Sequence, residues 1–109
     1  MNKKIALITG ATSGIGEACA RKFAEGGYNL ILTGRNAQKL NAIAAELQQT
    51  GVEVAALVFD VRQAEEAHKA WEGLDAAWQQ VDVLINNAGL ALGLEKEYEG
   101  DPTDWEIMI

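Results

Sequence analysis

The chain has few of the residues that hold proteins together covalently or through metals. It contains one cysteine, Cys19, and one histidine, His68, among 109 residues. A single cysteine cannot form an internal disulfide, which favours a reducing compartment and makes the cytoplasm the expected location. Cys19 is expected to be a small buried residue of a helix. His68 lies among charged residues with no second ligand at a suitable spacing, so no metal site is expected.

Long apolar runs are missing as well, and positive charge is scarce. No stretch approaches the roughly 18 consecutive apolar residues that cross a bilayer. The first apolar run is cut short by Thr9 and Gly10, so it is interpreted as a strand and not as a secretion signal. Nine Lys and Arg against sixteen Asp and Glu give a net charge of -7. Such a charge repels nucleic acid and anionic membranes, so neither is expected as a partner.

Short apolar runs alternate with helical patterns along the whole chain. The predicted strands are residues 5–9, 28–33, 52–59 and 83–85. The first predicted helix has an inward stripe of Ile15, Cys19 and Phe23. The second is capped by Asn36, ends at Gly51 and carries Leu40, Ile43, Ala44 and Leu47 on one face. The third, which contains Gly73, has an inward stripe of Ala67, Ala70, Trp71, Leu74, Ala77 and Trp78.

This alternation predicts an α/β fold with βαβ crossovers and a doubly wound parallel sheet. Residues 1–109 are expected to form one domain, with four strands in the order 3-2-1-4. The third strand is nearly all apolar, as expected for a strand covered on both faces. The fourth strand is expected to leave an open apolar edge, which favours association with another chain.

The last nine residues have the pattern of a helix start. Asp101 is a candidate cap, and Pro102 stands in the first turn. A two-turn helix carrying Trp105 and residues 107–109 is marginal in water without a packing partner. The chain is therefore expected to stop within an element of a longer fold.

A glycine-rich loop links the first strand to the first helix, with the sequence Thr-Gly-Ala-Thr-Ser-Gly-Ile-Gly at residues 9–16. Gly10 allows a sharp turn, and Gly14 has no Cβ where a pyrophosphate approaches backbone N–H groups. Gly16 lets the helix lie against the strand. Three glycines alone also fit a flexible turn without a ligand. Their position directly after the first strand, at the opening of a helix, favours dinucleotide binding.

The residues after the second and third strands bear on which dinucleotide is bound. A site for NAD normally has an acid after the second strand, but Gly34 is followed here by Arg35. A guanidinium binds a 2′-phosphate bidentately, so NADP is the predicted cofactor, although a solvent-facing arginine after a turn is the alternative. Asp60 follows the third strand and is either a hydrogen-bond acceptor for the adenine amino group or a helix cap.

Together the glycine loop, Asp60-Val61 and Asn86-Asn87-Ala88-Gly89 resemble the short-chain dehydrogenase/reductase family in order and spacing. Residues 87–93 and 104–109 look most like its branch of 3-hydroxy acid (serine-type) dehydrogenases. The resemblance covers essentially the whole chain. It implies a Rossmann fold, NADP(H) as hydride carrier, and a small 3-hydroxy acid or semialdehyde as substrate. It also implies a homo-oligomer, commonly a tetramer.

The resemblance assigns a role to each part of the cofactor site. The pyrophosphate loop would comprise Gly10, Ala11, Thr12, Ser13, Gly14, Ile15 and Gly16. The 2′-phosphate would be held by Arg35 and Asn36, and the adenine by Asp60 and Val61. The ribose on the nicotinamide side would be lined by Asn87, Ala88 and Gly89. Asn86 resembles the family asparagine that ties the central strands together.

The catalytic residues of that family are missing from this sequence. The family transfers a proton with a tyrosine that is followed four residues later by a lysine, but Leu32 and Pro102 stand four residues after Tyr28 and Tyr98. The only serine, Ser13, lies in the glycine loop. With no catalytic residue, the chain is expected to bind the cofactor without turning over a substrate. A non-catalytic NADP-binding module and a fragment that binds no cofactor are the alternatives.

Overall fold

The structure is a computed structural model that describes residues 3–60 and 63–87 and the backbone of residues 106–108. Five parallel strands form one sheet in the order β3-β2-β1-β4-β5. The strands are β1 (Ile5–Thr9), β2 (Asn29–Gly34), β3 (Val54–Val58), β4 (Val83–Asn86) and β5 (Glu106–Met108). The helices are α1 (Gly14–Glu25), α2 (Ala37–Gln48) and α3 (Ala64–Glu72). The predicted α/β fold and the order 3-2-1-4 of the first four strands are confirmed.

The middle of the sheet is β1, which is buried along its whole length. Leu7 of β1 pairs in register with Ile31 of β2 on one side and with Leu84 of β4 on the other. Runs of branched apolar residues favour extended backbone, and covering both faces of a parallel sheet removes their surface from water. Because these strands are parallel, the carboxyl ends of β1, β2, β3 and β4 lie at the same edge of the sheet.

Helices cover both faces of the sheet, and each face has its own apolar cluster. On one face α1 and α2 pack over Ala6, Ile8, Leu30 and Leu32. The predicted inward stripe of α2 is confirmed, because Leu40, Ile43, Ala44 and Leu47 are buried. On the other face Trp71 of α3 packs with residues that include Leu7, Ile31 and Leu84, and the half-buried Trp78 lies against the same cluster.

The predicted inward stripe of α1 is confirmed in part: Cys19 and Phe23 pack against the first cluster, but the fully buried residues lie one position further along the helix. The buried residues are Gly16, Ala20 and Ala24, whereas Ile15 is 71% exposed. Cys19 packs against the first cluster but is only half-buried, less than expected. The rotation has a steric cause, because Gly16 must face the backbone of the preceding loop and the small residues one and two turns later then face the sheet.

The predictions for the third helix and the third strand also need correction. The helix ends at Glu72, with Gly73 as its C-cap, and does not reach Trp78. Glycine is unfavourable inside a helix by about 1 kcal/mol relative to alanine, which explains the stop. The strand β3 is shorter than predicted, lies at one edge of the sheet and is only half-buried. Both of its faces are nevertheless covered, because Val54 and Ala56 pack against one cluster and Ala55 and Leu57 against the other.

The predicted C-terminal helix is wrong for residues 106–108, which form β5 parallel to β4. Asp101 and Pro102 lie outside the described residues. A two-turn helix is marginal in water, whereas a strand beside β4 satisfies the N–H and C=O groups of that edge. The edge of β4 is therefore paired and not open, which removes the reason given for association with another chain.

Two features are absent from the described part of the chain. None of its helices combines the length and the apolar character needed to cross a membrane. Within residues 3–60 and 63–87, no group of three or more His, Cys, Asp or Glu side chains is arranged to hold a metal ion. His68 lies 3.1 Å from Glu72, one turn further along α3.

Candidate functional site

The loop of residues 10–13, between β1 and α1, turns sharply at its first residue. Gly10 has φ of 64°, in the left-handed region that residues with a Cβ rarely adopt. Its carbonyl oxygen accepts hydrogen bonds from the backbone N–H and the hydroxyl of Ser13, at 3.2 and 2.9 Å. This geometry agrees with the turn that the sequence predicts at Gly10.

The start of α1 lies so close to this turn that Gly16 must be glycine. A Cβ built on Gly16 would stand 2.1 Å from the carbonyl oxygen of Gly10 and 3.0 Å from the Cα of Ala11. Both are backbone atoms that cannot rotate away. The sequence predicts that Gly16 lets the helix lie against the strand. In the structure the close contact is between Gly16 and the carbonyl group of Gly10, just beyond the end of β1.

By contrast, the space around Gly14 is open. A Cβ built there would meet nothing within 4 Å, and the neighbouring Ile15 is largely exposed. The first N–H groups of a helix have no partner inside the helix. Ser13 caps one of them, accepting from the N–H of Gly16 at 3.4 Å, while those of Gly14 and Ile15 make no hydrogen bond within the described residues. These donors and the helix dipole form a site that fits an anion.

Ala11 and Thr12 attach the loop to β2. Ala11 is fully buried, and its N–H donates to the carbonyl of Thr33 at 2.9 Å. The methyl group of Thr12 lies 3.1 Å from the position of a Cβ on Gly34. The N–H of Ala11 is already bonded inside the protein, so this residue shapes the loop. The N–H groups left for a ligand are those of Gly14 and Ile15, at the start of α1.

Asn87 fastens the same loop from the other side. Its Nδ2 donates to the carbonyl of Gly10 at 3.1 Å and to the hydroxyl oxygen of Ser13 at 2.7 Å. The register of β1 and β4 explains the contact, since Thr9 pairs with Asn86 and the following residues are then neighbours. The sequence interpretation placed Asn87 beside a ribose and did not foresee this bond. Knowing that β4 lies beside β1 was enough to find it.

Arg35 and Asp60 face each other across the ends of β2 and β3. Arg35 Nη1 lies 3.9 Å from Asp60 Oδ2, and the two side chains are 68% and 21% exposed. Asn36 accepts a hydrogen bond from the N–H of Lys39 at 3.0 Å, which confirms it as the cap of α2. The sequence interpretation named both charged residues for one cofactor but did not predict that they pair. The predicted adjacency of β2 and β3 could have indicated this pair, because Arg35 and Asp60 follow the ends of these two strands.

Three of the predicted site residues, Val61, Ala88 and Gly89, lie outside the described residues. The others all lie at the carboxyl edge of the sheet, where open α/β folds bind ligands. An open helix N-terminus, a guanidinium and a carboxylate stand there in one row. The described residues therefore fit a ligand that carries two separated phosphate groups.

Comparison with known proteins gives this edge of the sheet a family context. The model of the family described as short chain dehydrogenase matches residues 4–109. The NADP-dependent 3-hydroxy acid dehydrogenase of Salmonella typhi is 46% identical over 105 residues, which is 96% of this chain and 41% of the relative. Sulfoacetaldehyde reductase 2 of Chromohalobacter salexigens is 47% identical over 105 residues, with the same coverage of 96% and 41%.

A solved structure shows the same fold. The L-sorbose reductase of Gluconobacter frateurii, complexed with NADPH and L-sorbose, superposes with a TM-score of 0.73 at 35% identity. The match covers 83% of this chain and 35% of that one. The chain thus spans 41% of the length of the two curated relatives above.

Proposed function

Because this chain belongs to the short-chain dehydrogenase family, we propose that it is the cofactor-binding segment of an NADP-dependent oxidoreductase. The proposed reaction moves a hydride between the nicotinamide ring of NADP(H) and the hydroxyl-bearing carbon of a small 3-hydroxy acid, or the matching semialdehyde. The relatives named for 3-hydroxy acids and for sulfoacetaldehyde support a small acidic substrate.

The observation that carries the proposal is the pairing of an open helix N-terminus with Arg35 at the end of β2. The N–H groups of Gly14 and Ile15 would meet the pyrophosphate, since nothing occupies the space beside Gly14. Arg35, together with Asn36, would meet the 2′-phosphate of the adenosine ribose. A phosphate on a guanidinium forms charge-assisted hydrogen bonds, which are about twice as strong as neutral ones.

The remaining predicted contacts complete the proposed cofactor site. Asp60 and Val61 would bind the adenine, and Asn87, Ala88 and Gly89 would line the ribose on the nicotinamide side. The bonds from Asn87 to the glycine loop support this placement, because they bring the end of β4 against the pyrophosphate loop. The proposed assembly is a homotetramer in the cytoplasm, on the strength of the family resemblance and of the single cysteine.

The chain is proposed to bind the cofactor without catalysing the reaction by itself. Neither tyrosine is followed by a lysine at the spacing the family uses, and the only serine caps α1. Hydride transfer from an alcohol needs a group that removes the hydroxyl proton. A non-catalytic NADP-binding module remains the second candidate, favoured by the same lack of a tyrosine and lysine pair.

Calorimetric titration of NADP and NAD tests the binding proposal. We expect NADP to bind at least tenfold more tightly, and Arg35→Ala to remove most of this preference, since hydrogen bonds to charged groups contribute about 1.5–3 kcal/mol. Lys22→Ala is the matched control, because it removes one positive charge from the far end of α1. Equal affinity for both cofactors, or no binding at all, would overturn the proposal.

A second measurement tests the proposed lack of turnover. The chain, loaded with NADP, is mixed with a panel of 3-hydroxy acids, and NADPH formation is followed by absorbance. We expect no rate of NADPH formation above background. We also expect the coding region downstream of Ile109 to contain a tyrosine followed four residues later by a lysine. A rate well above background would show that the chain contains its own proton acceptor. A downstream region without the pair would favour the non-catalytic module.

A further inference from the structure

The carboxylate of Asp60 lies beside the guanidinium that is proposed to bind the 2′-phosphate. This inference therefore rests on the proposed function. Arg35 Nη1 and Asp60 Oδ2 are 3.9 Å apart. That distance is an ion-pair contact but is longer than the 2.7–3.2 Å that is usual for a hydrogen bond. The charge of Asp60 therefore acts on Arg35 without holding its side chain in one orientation.

The two partners differ in how firmly they are placed. Asp60 is 21% exposed, and hydrogen bonds hold the backbone on both sides of it. The N–H of the preceding Phe59 donates to the carbonyl of Gly34, and the carbonyl of Asp60 accepts from the N–H of Gln63. Arg35 is 68% exposed. Exposed ion pairs contribute little to stability and order a long side chain weakly. A largely buried carboxylate thus faces an exposed guanidinium.

We propose that Asp60 sets the discrimination between NADP and NAD by partly neutralising Arg35. A 2′-phosphate that carries up to two negative charges approaches a positive group whose field is reduced by the carboxylate next to it. NAD carries no 2′-phosphate, and the effect of that field on the pyrophosphate, which both cofactors carry, cancels when the two are compared. Asp60 therefore lowers the preference for NADP below the level that Arg35 alone would give, and so keeps NADP binding readily reversible.

The ratio of the two dissociation constants isolates this effect from any contact of Asp60 with the adenine. Both cofactors carry the same adenine, so a changed adenine contact alters both affinities equally and cancels in the ratio. What remains is the response to the 2′-phosphate. The ratio is also expected to depend on salt, because charges near the surface are screened over about 8 Å at physiological ionic strength.

The experiment measures Kd for NADP and NAD by calorimetry in the unmodified chain and in Asp60→Asn. We expect the NADP preference to rise by roughly three- to tenfold in Asp60→Asn, and the gain to shrink in about 1 M salt. Asp60→Ser, which also removes the charge, must shift the ratio in the same direction. Asp60→Glu keeps the charge and should leave the ratio near that of the unmodified chain. Thermal unfolding of each variant confirms that it is folded.

Asp75→Asn is the matched control, since it also removes one negative charge but lies at the opposite edge of the sheet. It should leave the ratio unchanged. An unchanged ratio in Asp60→Asn and Asp60→Ser would overturn the inference, and a reduced ratio would show that Asp60 positions Arg35 instead. If the unmodified chain binds neither cofactor, the proposed function fails. If the unmodified chain prefers NADP and Arg35→Ala removes that preference, but the Asp60 variants keep the ratio of the unmodified chain, only this inference fails.

Discussion

The two ends of the sheet use their polar groups in opposite ways. At the amino end, backbone and side chains bond to one another: Ile5 N–H donates to Asp82 Oδ2 at 2.9 Å, and Glu53 N–H donates to Asn29 Oδ1 at 2.9 Å. At the carboxyl end, the N–H groups of Gly14 and Ile15 make no hydrogen bond within the described residues, and the side chain of Arg35 is 68% exposed with Asp60 3.9 Å away. An open cavity of about 620 Å³ lies at the amino end, and the side chains of Lys3, Asn29 and Asp82 in its lining are already engaged in such bonds.

This difference separates stability from binding. A bonded polar group contributes to folding, and its removal leaves a partner unsatisfied. An exposed donor at a helix N-terminus contributes little to folding and is available to a ligand. Substitutions at the amino end should therefore change stability alone, while those at the carboxyl end should change ligand affinity, with or without a change in stability.

The largest effect is expected from Gly16→Ala at the carboxyl end. The added Cβ would stand 2.1 Å from the carbonyl oxygen of Gly10, so the loop or the helix must shift. We expect a loss of about 3 kcal/mol or more in the free energy of unfolding, together with loss of NADP binding. Urea denaturation and calorimetric titration measure the two. A variant with unaltered stability would show that the loop does not pack as the structure has it.

Asp82→Ala at the amino end should have a smaller effect on stability and none on binding. It removes the acceptor of the N–H of Ile5, a residue that is 7% exposed. We expect a loss of about 1–2 kcal/mol, measured by urea denaturation. Asp82→Asn keeps an acceptor oxygen and should lose less. A change in NADP affinity in either variant would contradict the separation of the two ends.

Gly14→Ala is expected to move stability and affinity in opposite directions. A Cβ at this position meets no atom within 4 Å, and alanine is a better helix former than glycine. The free energy of unfolding should therefore rise by about 0.5–1 kcal/mol. The same Cβ occupies the space proposed for the pyrophosphate, so the affinity for NADP and NAD should fall equally. Retention of full affinity would exclude the first turn of α1 from the cofactor site.

The smallest effect is expected from Arg21→Ala, which lies away from both ends. Arg21 bridges α1 to α2, with its Nη2 2.6 Å from Glu17 and 2.5 Å from Glu46. Its side chain is 41% exposed, so the loss should stay below about 1 kcal/mol and diminish with salt. Cofactor affinity should not change, which calorimetry would verify.

The pH dependence of the Arg21 bridge has a definite sign. The hydrogen bonds that Arg21 donates to Glu17 and, with a smaller effect, to Glu46 raise the pKa of Arg21. A raised pKa of a base stabilises the fold at every pH below the unfolded value, and the gain is lost only as pH rises through the folded value. The difference between Arg21→Ala and the unmodified chain should therefore be flat across the neutral range and vanish in strongly alkaline solution. A difference that changes near neutral pH would point to another titrating group.

Much of the fold and part of the candidate site are readable from residue patterns. Alternating strands and helices predict the first four strands, the Rossmann fold that the family resemblance implies gives their order, and Asn36 is recognised as a cap from its position alone. The errors share one physical origin. The stripe of α1, the length of α3 and the strand β5 depend on which backbone atoms approach each other, and periodicity along the chain does not contain that information.

The amino-acid sequence by itself determined the α/β class, the glycine turn after β1 and the basic residue after β2, because these depend on local propensities and on the order of short segments. Only the tertiary structure decided that Asn87 bonds to the glycine loop, that Arg35 faces Asp60, and that the N–H of Ala11 is already bonded. These contacts join residues from 22 to 77 positions apart. They arise from the register of neighbouring strands, which is set when all the strands pack into one sheet.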